Sequence, residues 1–123
     1  MKPDLSCPCG SPKSYAECCG PLHGGGDAVT AEALMRSRYS AYALGDKDYL
    51  LRTWAESTRP TALAAASPRW LGLKVVRYRE HGDEAEVEFV ARFRQGGKVQ
   101  LLHETSRFVR EGGRWFYIDG VFV

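Results

Sequence analysis

The second half of the chain alternates between apolar and polar residues, and this pattern limits the fold more than any other feature. The alternation begins at Arg69 and is interrupted by three tight-turn signals, at Gly82-Asp83, at Gly96-Gly97 and at Gly112-Gly113. Runs of period-two alternation joined by short glycine turns form antiparallel hairpins. The sequence therefore predicts four antiparallel strands in a meander.

The segment before the strands has the spacing and the capping residues of helices. Thr30 is predicted to cap a helix that Gly45 ends, and Asp46 to cap a second helix that runs through Trp54. The stretch "PTALAAA", residues 60–66, suggests one more short helical turn. Helices followed by an antiparallel sheet in a chain of 123 residues indicate an α+β fold with one main domain.

Centring the hairpins on their turns assigns the strand residues to two faces of the sheet. One face pairs opposite charges: Arg77 lies opposite Glu88, Arg79 opposite Glu86, and Glu86 also opposite Arg107. The other face is apolar, so we expect the helices to cover it. Its predicted members are Trp70, Val76, Tyr78, Val87, Phe89, Ala91, Phe93, Leu102, Phe108, Phe116 and Ile118.

Two polar residues fall on this apolar face. The register of the first two hairpins places Glu104 opposite Phe89 and Lys74 opposite Ala91. The third hairpin is predicted to turn through a three-residue loop over 111–113. Burying an unpaired carboxylate is costly, so Glu104 is expected to be paired, protonated or beside a water-filled cavity.

All the cysteines of the chain lie in one short N-terminal stretch, "CPCGSPKSYAECCG", as Cys7, Cys9, Cys18 and Cys19. Adjacent or near-adjacent cysteines close strained disulfide rings, whereas four thiolates can converge on one tetrahedral ion. The spacing predicts a closed, structural Zn²⁺ site with these four ligands. Two alternatives stay open: His23 replaces one of the two adjacent cysteines, or Cys7 and Cys9 have a redox role.

The same stretch is similar to a known motif. The pattern C-P-C-G-S, then C-C-G, with eight residues between the second and third cysteines, resembles the SEC-C zinc motif, best known from the C-terminal tail of the bacterial protein-translocation ATPase. The segments "LMRSRYSAYALGDKDYLLRTW", "WLGLKVV", "FVARFRQGGK" and "HETSRFVREGGRWFYIDG" resemble the YchJ-like family of uncharacterised bacterial proteins. Where members of that family have T-W-H-P, this chain has "TWAES" and lacks the histidine.

The resemblance implies a SEC-C-like zinc-binding motif over residues 1–23 and an NTF2-like domain over 30–123. The glycine-rich residues 24–29 are predicted to link them. In an NTF2-like cone, N-terminal helices cap the concave face of a curved sheet and leave a pocket. The candidate pocket residues are Tyr39, Tyr42, Trp54, Trp70, Lys74, Phe89, Glu104 and Phe108. An apolar pocket with one or two polar groups is typical of a small-molecule site, although the same aromatic residues also suit a plain core.

Three functional hypotheses follow. The favoured one is a non-catalytic module that binds a small ligand in the cone, or a protein partner, ribosome or RNA through Lys2, Lys13, Tyr15 and His23 of the zinc knuckle. The alternative is an isomerase or dehydratase that uses Glu104 to move a proton. The missing histidine and the lack of a second titratable partner disfavour it. Zinc storage or delivery comes last, because a closed four-thiolate site holds its metal tightly.

Charge and hydropathy limit the partners further. The formal net charge is +2, with no run of five or six like charges, so charge alone does not predict a nucleic acid. No stretch approaches the roughly 20 apolar residues that span a bilayer, and the first residues lack the apolar segment of a secretory signal. We therefore expect a cytoplasmic protein with no membrane partner. The charged outer face of the sheet favours a monomer.

Overall fold

The computed structural model describes residues 6–63 and 68–123, which form three helices and one sheet. A 3₁₀ turn, Tyr15–Glu17, leads into α1 (Cys19–His23), α2 (Ala31–Leu44) and α3 (Lys47–Arg52). The strands are β1 (Arg69–His81), β2 (Glu84–Gln95), β3 (Lys98–Glu111) and β4 (Arg114–Phe122), antiparallel and in sequential order. The predicted α+β architecture is confirmed. No helix in the described ranges has the length and apolar character needed to cross a bilayer.

Capping residues fix both ends of α2 and the start of α3, as predicted. The hydroxyl of Thr30 accepts a 3.0 Å hydrogen bond from the backbone N–H of Ala33. Gly45 ends α2 in the left-handed conformation, with φ of +77°. Asp46 accepts from the backbone of Tyr49 and begins α3. These local contacts turn the chain between the two helices.

The structure differs from the prediction after α3. The helix ends at Arg52 instead of continuing to Trp54, because the chain leaves it to pair with β4. The N–H of Ala55 donates to the carbonyl of Tyr117 over 2.7 Å, and the N–H of Tyr117 donates to the carbonyl of Thr53 over 2.8 Å. Of the further turn predicted over 60–66, residues 61–63 are not helical, and 64–66 lie outside the described residues.

The predicted pairs at the turn end of β1 and β2 are confirmed: Arg77 faces Glu88 and Arg79 faces Glu86. Two irregularities in β1, between Trp70 and Gly72 and between Val75 and Arg77, change the other end of the strand.

Lys74 is consequently exposed and pairs with Val90, while Leu73 takes the predicted place of Lys74 opposite Ala91. Val76 is 48% exposed, so it too lies outside the core. The predicted inward positions of Lys74 and Val76 were wrong, because Val76 is the extra residue of the bulge between Val75 and Arg77, and this bulge reverses the alternation at Lys74.

The third hairpin also differs from its predicted register. Its turn contains two residues, Gly112 and Gly113, both with positive φ, and Glu111 pairs directly with Arg114. A two-residue turn shifts β4 by one position relative to the predicted three-residue loop. Trp115 and Tyr117 therefore pack on the core in the places predicted for Phe116 and Ile118. A second shift beside Phe108 sets Arg107 directly opposite Asp119.

One hydrophobic core joins the N-terminal cysteine segment to α2 and the sheet. Its buried members include Cys7, Cys9, Cys19, Ala28, Leu34, Met35, Tyr39, Val87, Phe89, Ala91, Phe108 and Trp115. Ala28 lies within the predicted linker, and its neighbour Asp27 forms a 3.2 Å ion pair with Arg114 of β4. The boundaries at 23 and 30 stay a prediction, and the core extends across both.

Candidate metal centre and ligand cavity

The four cysteine sulfurs converge at the N-terminal end of the core. Every pair of Sγ atoms lies within 4.8 Å, and Cys18 is 3.7 Å from Cys9 and 3.9 Å from Cys19. These separations are far longer than the roughly 2.05 Å of a disulfide bond. Four sulfurs at about 2.3 Å from a tetrahedral zinc ion would lie about 3.8 Å apart. The donor set and its spacing therefore fit a tetrahedral metal ion.

Backbone turns present the thiols from both sides. The N–H of Cys7 donates to the carbonyl of Lys13, and the N–H of Gly10 donates back to the carbonyl of Cys7. Cys19 is the first residue of α1, which continues through Gly20 and Pro21 to His23. The hydroxyl of Ser11 donates a 3.1 Å hydrogen bond to the Cys18 sulfur. Such outer contacts orient metal-binding thiolates.

The thiols influence one another's ionisation. A hydrogen bond from the Cys19 thiol lowers the pKa of Cys9 to about 4. The same bond is the largest cause that raises the pKa of Cys19, and burial raises the pKa of Cys18. One thiolate therefore suppresses the ionisation of its neighbours. A divalent cation is the partner that lets four thiolates share this small volume.

His23 is not part of the cysteine cluster. Its Nε2 lies 2.8 Å from the carbonyl oxygen of Ser37, which can only accept, so this nitrogen carries the proton. Its Nδ1 then accepts a 2.6 Å hydrogen bond from the hydroxyl of Tyr15. Both nitrogens are engaged, and the ring packs against Tyr49 with centroids 4.5 Å apart. His23 therefore links α1 to α2 through its hydrogen bond to Ser37. This contact differs from the metal-ligand role considered as an alternative in the sequence analysis.

The residues of the zinc knuckle that were predicted to contact a macromolecule differ in their exposure to solvent. Lys13 is exposed, whereas Tyr15 and His23 are half-buried and bonded to each other. Lys2 lies outside the described residues.

A second feature is a cavity of about 260 Å³ between α2 and the concave face of the sheet. Its walls are formed by Met35, Arg38, Tyr39, Tyr42, Trp70, Phe89, Ala91, Leu102, Glu104, Ser106, Phe108 and Tyr117. Six of the eight candidate pocket residues line it: Tyr39, Tyr42, Trp70, Phe89, Glu104 and Phe108. Trp54 packs behind Tyr117 with ring centroids 4.9 Å apart, and Lys74 faces away because of the bulge between Val75 and Arg77.

Three polar residues of the cavity wall were not among the predicted pocket residues. Arg38 lies three residues after Met35 and four before Tyr42, so helical spacing alone places it on the same face. Ser106 is two residues from Glu104 on the same face of β3. Tyr117 could not be found this way, because its inward position depends on the two-residue turn at Gly112-Gly113.

Arg38 is only 5% exposed and is held from two sides. Its Nη1 donates to the carbonyl of Leu50 and to the hydroxyl of Thr53, each over 2.7 Å. The guanidinium carbon lies 4.5 Å from the ring centre of Tyr117 and 5.2 Å from that of Trp54. Burial lowers the pKa of Arg38 below its ordinary value.

Glu104 supplies the opposite charge in the cavity wall. It is half-buried, and its Oε2 accepts a 2.7 Å hydrogen bond from the hydroxyl of Ser106. Within the described ranges, no arginine or lysine nitrogen lies within 4.0 Å of its carboxylate. Burial, and next the charge of Glu104, raise the pKa of Tyr117 to about 12. The Tyr117 hydroxyl therefore stays protonated at neutral pH and can donate a hydrogen bond.

Comparison with known proteins agrees with this architecture. Residues 30–120 match the protein family described as "YchJ, middle NTF2-like domain". A UPF0225 protein of Bordetella parapertussis is 52% identical over 94% of this chain and 91% of its own length. A second, from Methylibium petroleiphilum, is 55% identical over 94% of this chain and 88% of its own.

Two solved structures are similar over nearly the entire chain. One is a SEC-C motif containing protein from Rhodopseudomonas palustris, with 40% identity and a TM-score of 0.85 over 97% of this chain and 99% of that one. The other is a sec-c motif containing protein from Psychrobacter arcticus, with 31% identity and a TM-score of 0.80 over 95% of this chain and 82% of that one.

Proposed function

Because this chain belongs to the UPF0225 family, with the YchJ middle NTF2-like domain, we propose that it is a ligand-binding protein with a structural zinc ion. In this proposal the cone holds a small organic molecule, and the four cysteines fix the N-terminal segment to the core. The observation that carries it is the cavity of about 260 Å³, where Arg38 and Glu104 project from a largely aromatic wall.

The metal proposal rests on the convergence of the four sulfurs. Cys7, Cys9, Cys18 and Cys19 would be the ligands, and all-thiolate sites favour zinc in proteins. Bound zinc would offset two of the four thiolate charges and cross-link two parts of the chain. With every tetrahedral position taken by sulfur, such a site has no room for a reactive water, so the proposed role is structural.

The cavity is a better candidate than the knuckle surface for the main function. Of the knuckle residues first considered for contact with a protein, ribosome or RNA, Tyr15 and His23 are bonded to each other, and His23 is also bonded to Ser37 of α2. Lys13 is exposed, but a single lysine is weak support for a macromolecular interface. The cavity, in contrast, combines an apolar wall with a few polar groups, as small-molecule sites do.

An isomerase or dehydratase is the second candidate. Glu104 has one oxygen bonded to Ser106, while Oε1 has no hydrogen-bond partner among the described residues. A carboxylate of this kind can move a proton, with protonated Tyr117 as a donor to a substrate oxygen. A second proton-transferring group would complete this chemistry, and the described residues of the cavity wall include no histidine or cysteine. We therefore favour binding without catalysis.

Native mass spectrometry of the full chain, purified without added metal or ligand, tests the proposal. We expect one zinc ion per chain and a small organic adduct that is lost on denaturation. The variant Leu102→Trp would fill the cavity and remove the adduct while keeping zinc. Leu101→Trp is the matched control, because Leu101 is 66% exposed and does not line the cavity.

Each half of the proposal can fail on its own. Cys18→Ala should lower zinc occupancy, and full occupancy in that variant would contradict the four-cysteine site. An adduct that persists in Leu102→Trp, or that Leu101→Trp removes equally, would place the ligand outside the cavity. A chain that carries zinc and binds no small molecule would refute the ligand-binding function and leave the metal proposal standing.

A further inference from the structure

We propose that the cavity selects a small monocarboxylate with an apolar body, whose carboxylate binds the guanidinium of Arg38. This inference rests on the proposed ligand-binding function and names the chemical class of the ligand. It starts from the charge of Arg38, from the two contacts that orient it, and from the composition of the surrounding wall.

Arg38 is a buried cation that makes no ion pair in the described residues, although the charge of Glu104 in the same wall acts on it. Within the described parts of the chain, no aspartate or glutamate oxygen lies within 4.0 Å of its guanidinium. Taking a guanidinium out of water is costly unless it is paired or fully hydrogen-bonded. Stacking on Tyr117 and Trp54 offsets a part of this cost. The remaining imbalance is what an anionic ligand would relieve.

The hydrogen bonds of Arg38 leave donors available. Both use Nη1, which is bound to Leu50 and Thr53 at the end of α3. Nε and Nη2 have no hydrogen-bond partner among residues 6–63 and 68–123. These two nitrogens form the edge of a guanidinium that binds a carboxylate through two parallel hydrogen bonds. The contacts at Nη1 hold the group still, so less entropy is lost when a ligand binds.

The rest of the wall favours an apolar body and a single charge. Tyr39, Trp70, Phe89 and Phe108 supply aromatic surface. Glu104 lines the same cavity, so a second negative charge on the ligand would meet a carboxylate. A phosphate dianion needs several donors or cations, whereas Arg38 is the only cationic side chain in this wall as described. The volume is slightly below the roughly 300–1,000 Å³ of sites for drug-sized ligands, which indicates a small molecule.

Benzoate, benzamide and inorganic phosphate are suitable probes, because benzamide keeps the shape of benzoate without its charge. Dissociation constants for the full chain, measured by ligand-observed NMR, should be lower for benzoate than for benzamide by roughly tenfold, since charged hydrogen bonds contribute more than neutral ones. Phosphate should not bind. Arg38→Gln should remove the preference for benzoate while benzamide binding stays within a few-fold.

Arg38 also holds the end of α3, so Arg38→Gln must first be shown to fold by its thermal unfolding. If it does not fold, Glu104→Gln carries the test: it removes the like charge and should tighten benzoate binding several-fold, with benzamide unchanged. Equal affinities for benzoate and benzamide, saturable binding of phosphate alone, or no effect of either variant on the preference would overturn the inference. If the adduct found by native mass spectrometry is a neutral molecule, the monocarboxylate inference is also overturned, while the proposed ligand-binding function stands.

Discussion

Glu104 occupies the space above Gly120 on the neighbouring strand. Gly120 is the cross-strand partner of Ser106, and a Cβ atom at position 120 would overlap the Glu104 carboxylate. The same carboxylate accepts the hydrogen bond of Ser106, two residues away on β3. The missing side chain at position 120 therefore lets an acidic group rest against the sheet in the cavity wall.

Gly120→Ala should destabilise the protein by about 1–3 kcal/mol, because the new methyl group must displace the Glu104 carboxylate. The same change in a Glu104→Ala background should cost much less, since the overlapping group is gone. Urea unfolding of the wild type, both single variants and the double variant measures this coupling. Additive losses would show that Gly120 is needed for another reason.

Removal of the metal should lower the stability of the entire described core. Cys7, Cys9 and Cys19 are buried in the same cluster as Leu34 of α2 and Phe108 of β3, so loosening of the cysteine segment exposes both. Where free zinc exceeds its Kd by a hundredfold, linkage predicts a loss of about 2.7 kcal/mol. Calorimetry with and without a zinc chelator should show one unfolding transition that moves to lower temperature.

A separately folding zinc unit, as the predicted boundaries at residues 23 and 30 suggest, gives the opposite result. The chelator would then leave the main transition in place and remove a small early one. Lys13→Ala is a suitable control for the calorimetry, because Lys13 is exposed and is not a predicted ligand. It should leave both the transition and its response to the chelator unchanged.

The pair of Arg107 and Asp119 on the outer face predicts a pH dependence. Arg107 donates two hydrogen bonds, of 2.7 and 2.8 Å, to the carboxylate of Asp119 and lowers its pKa below the ordinary 3.8. A lowered pKa in the folded state stabilises the protein above the unfolded-state pKa, and this contribution is lost as the pH falls through the folded-state value. Both side chains are about half exposed, so the effect is small.

Asp119→Asn should therefore be slightly less stable than the wild type at neutral pH, and the difference should vanish in strong acid. Urea midpoints of both proteins across the acidic range give the comparison. High salt should reduce the difference at neutral pH, because exposed ion pairs are screened. A difference that persists unchanged at low pH would mean that Asp119 acts through packing and not through its charge.

Local chemistry made much of this fold predictable. Thr30, Gly45 and Asp46 mark helix ends through contacts with their own neighbours, and Gly112-Gly113 marks a turn through positive φ. The spacing of the four cysteines, which lie within one short stretch, likewise predicted that their sulfurs converge.

Positions that depend on strand register were less predictable. Lys74 was expected on the apolar face of the sheet and Tyr117 was not, and the structure reverses both positions. The causes are a bulge in β1 and a shorter turn before β4, which no local residue preference specifies. The cavity wall as described consequently contains Tyr117 and does not contain Lys74.

Two neighbouring valines of β1 test the bulge directly. Val75 is the cross-strand partner of Phe89 and packs against the core, whereas Val76 is 48% exposed. Threonine has nearly the shape of valine and a similar preference for strands, so each Val→Thr change mainly adds a hydroxyl group. Val75→Thr should cost about 1–3 kcal/mol, because the hydroxyl is moved into apolar surroundings, and Val76→Thr less than about 0.5 kcal/mol. Urea unfolding of the two variants gives the order. A regular strand with Val76 inside, as expected from the sequence, would instead make Val76→Thr the more destabilising of the two changes.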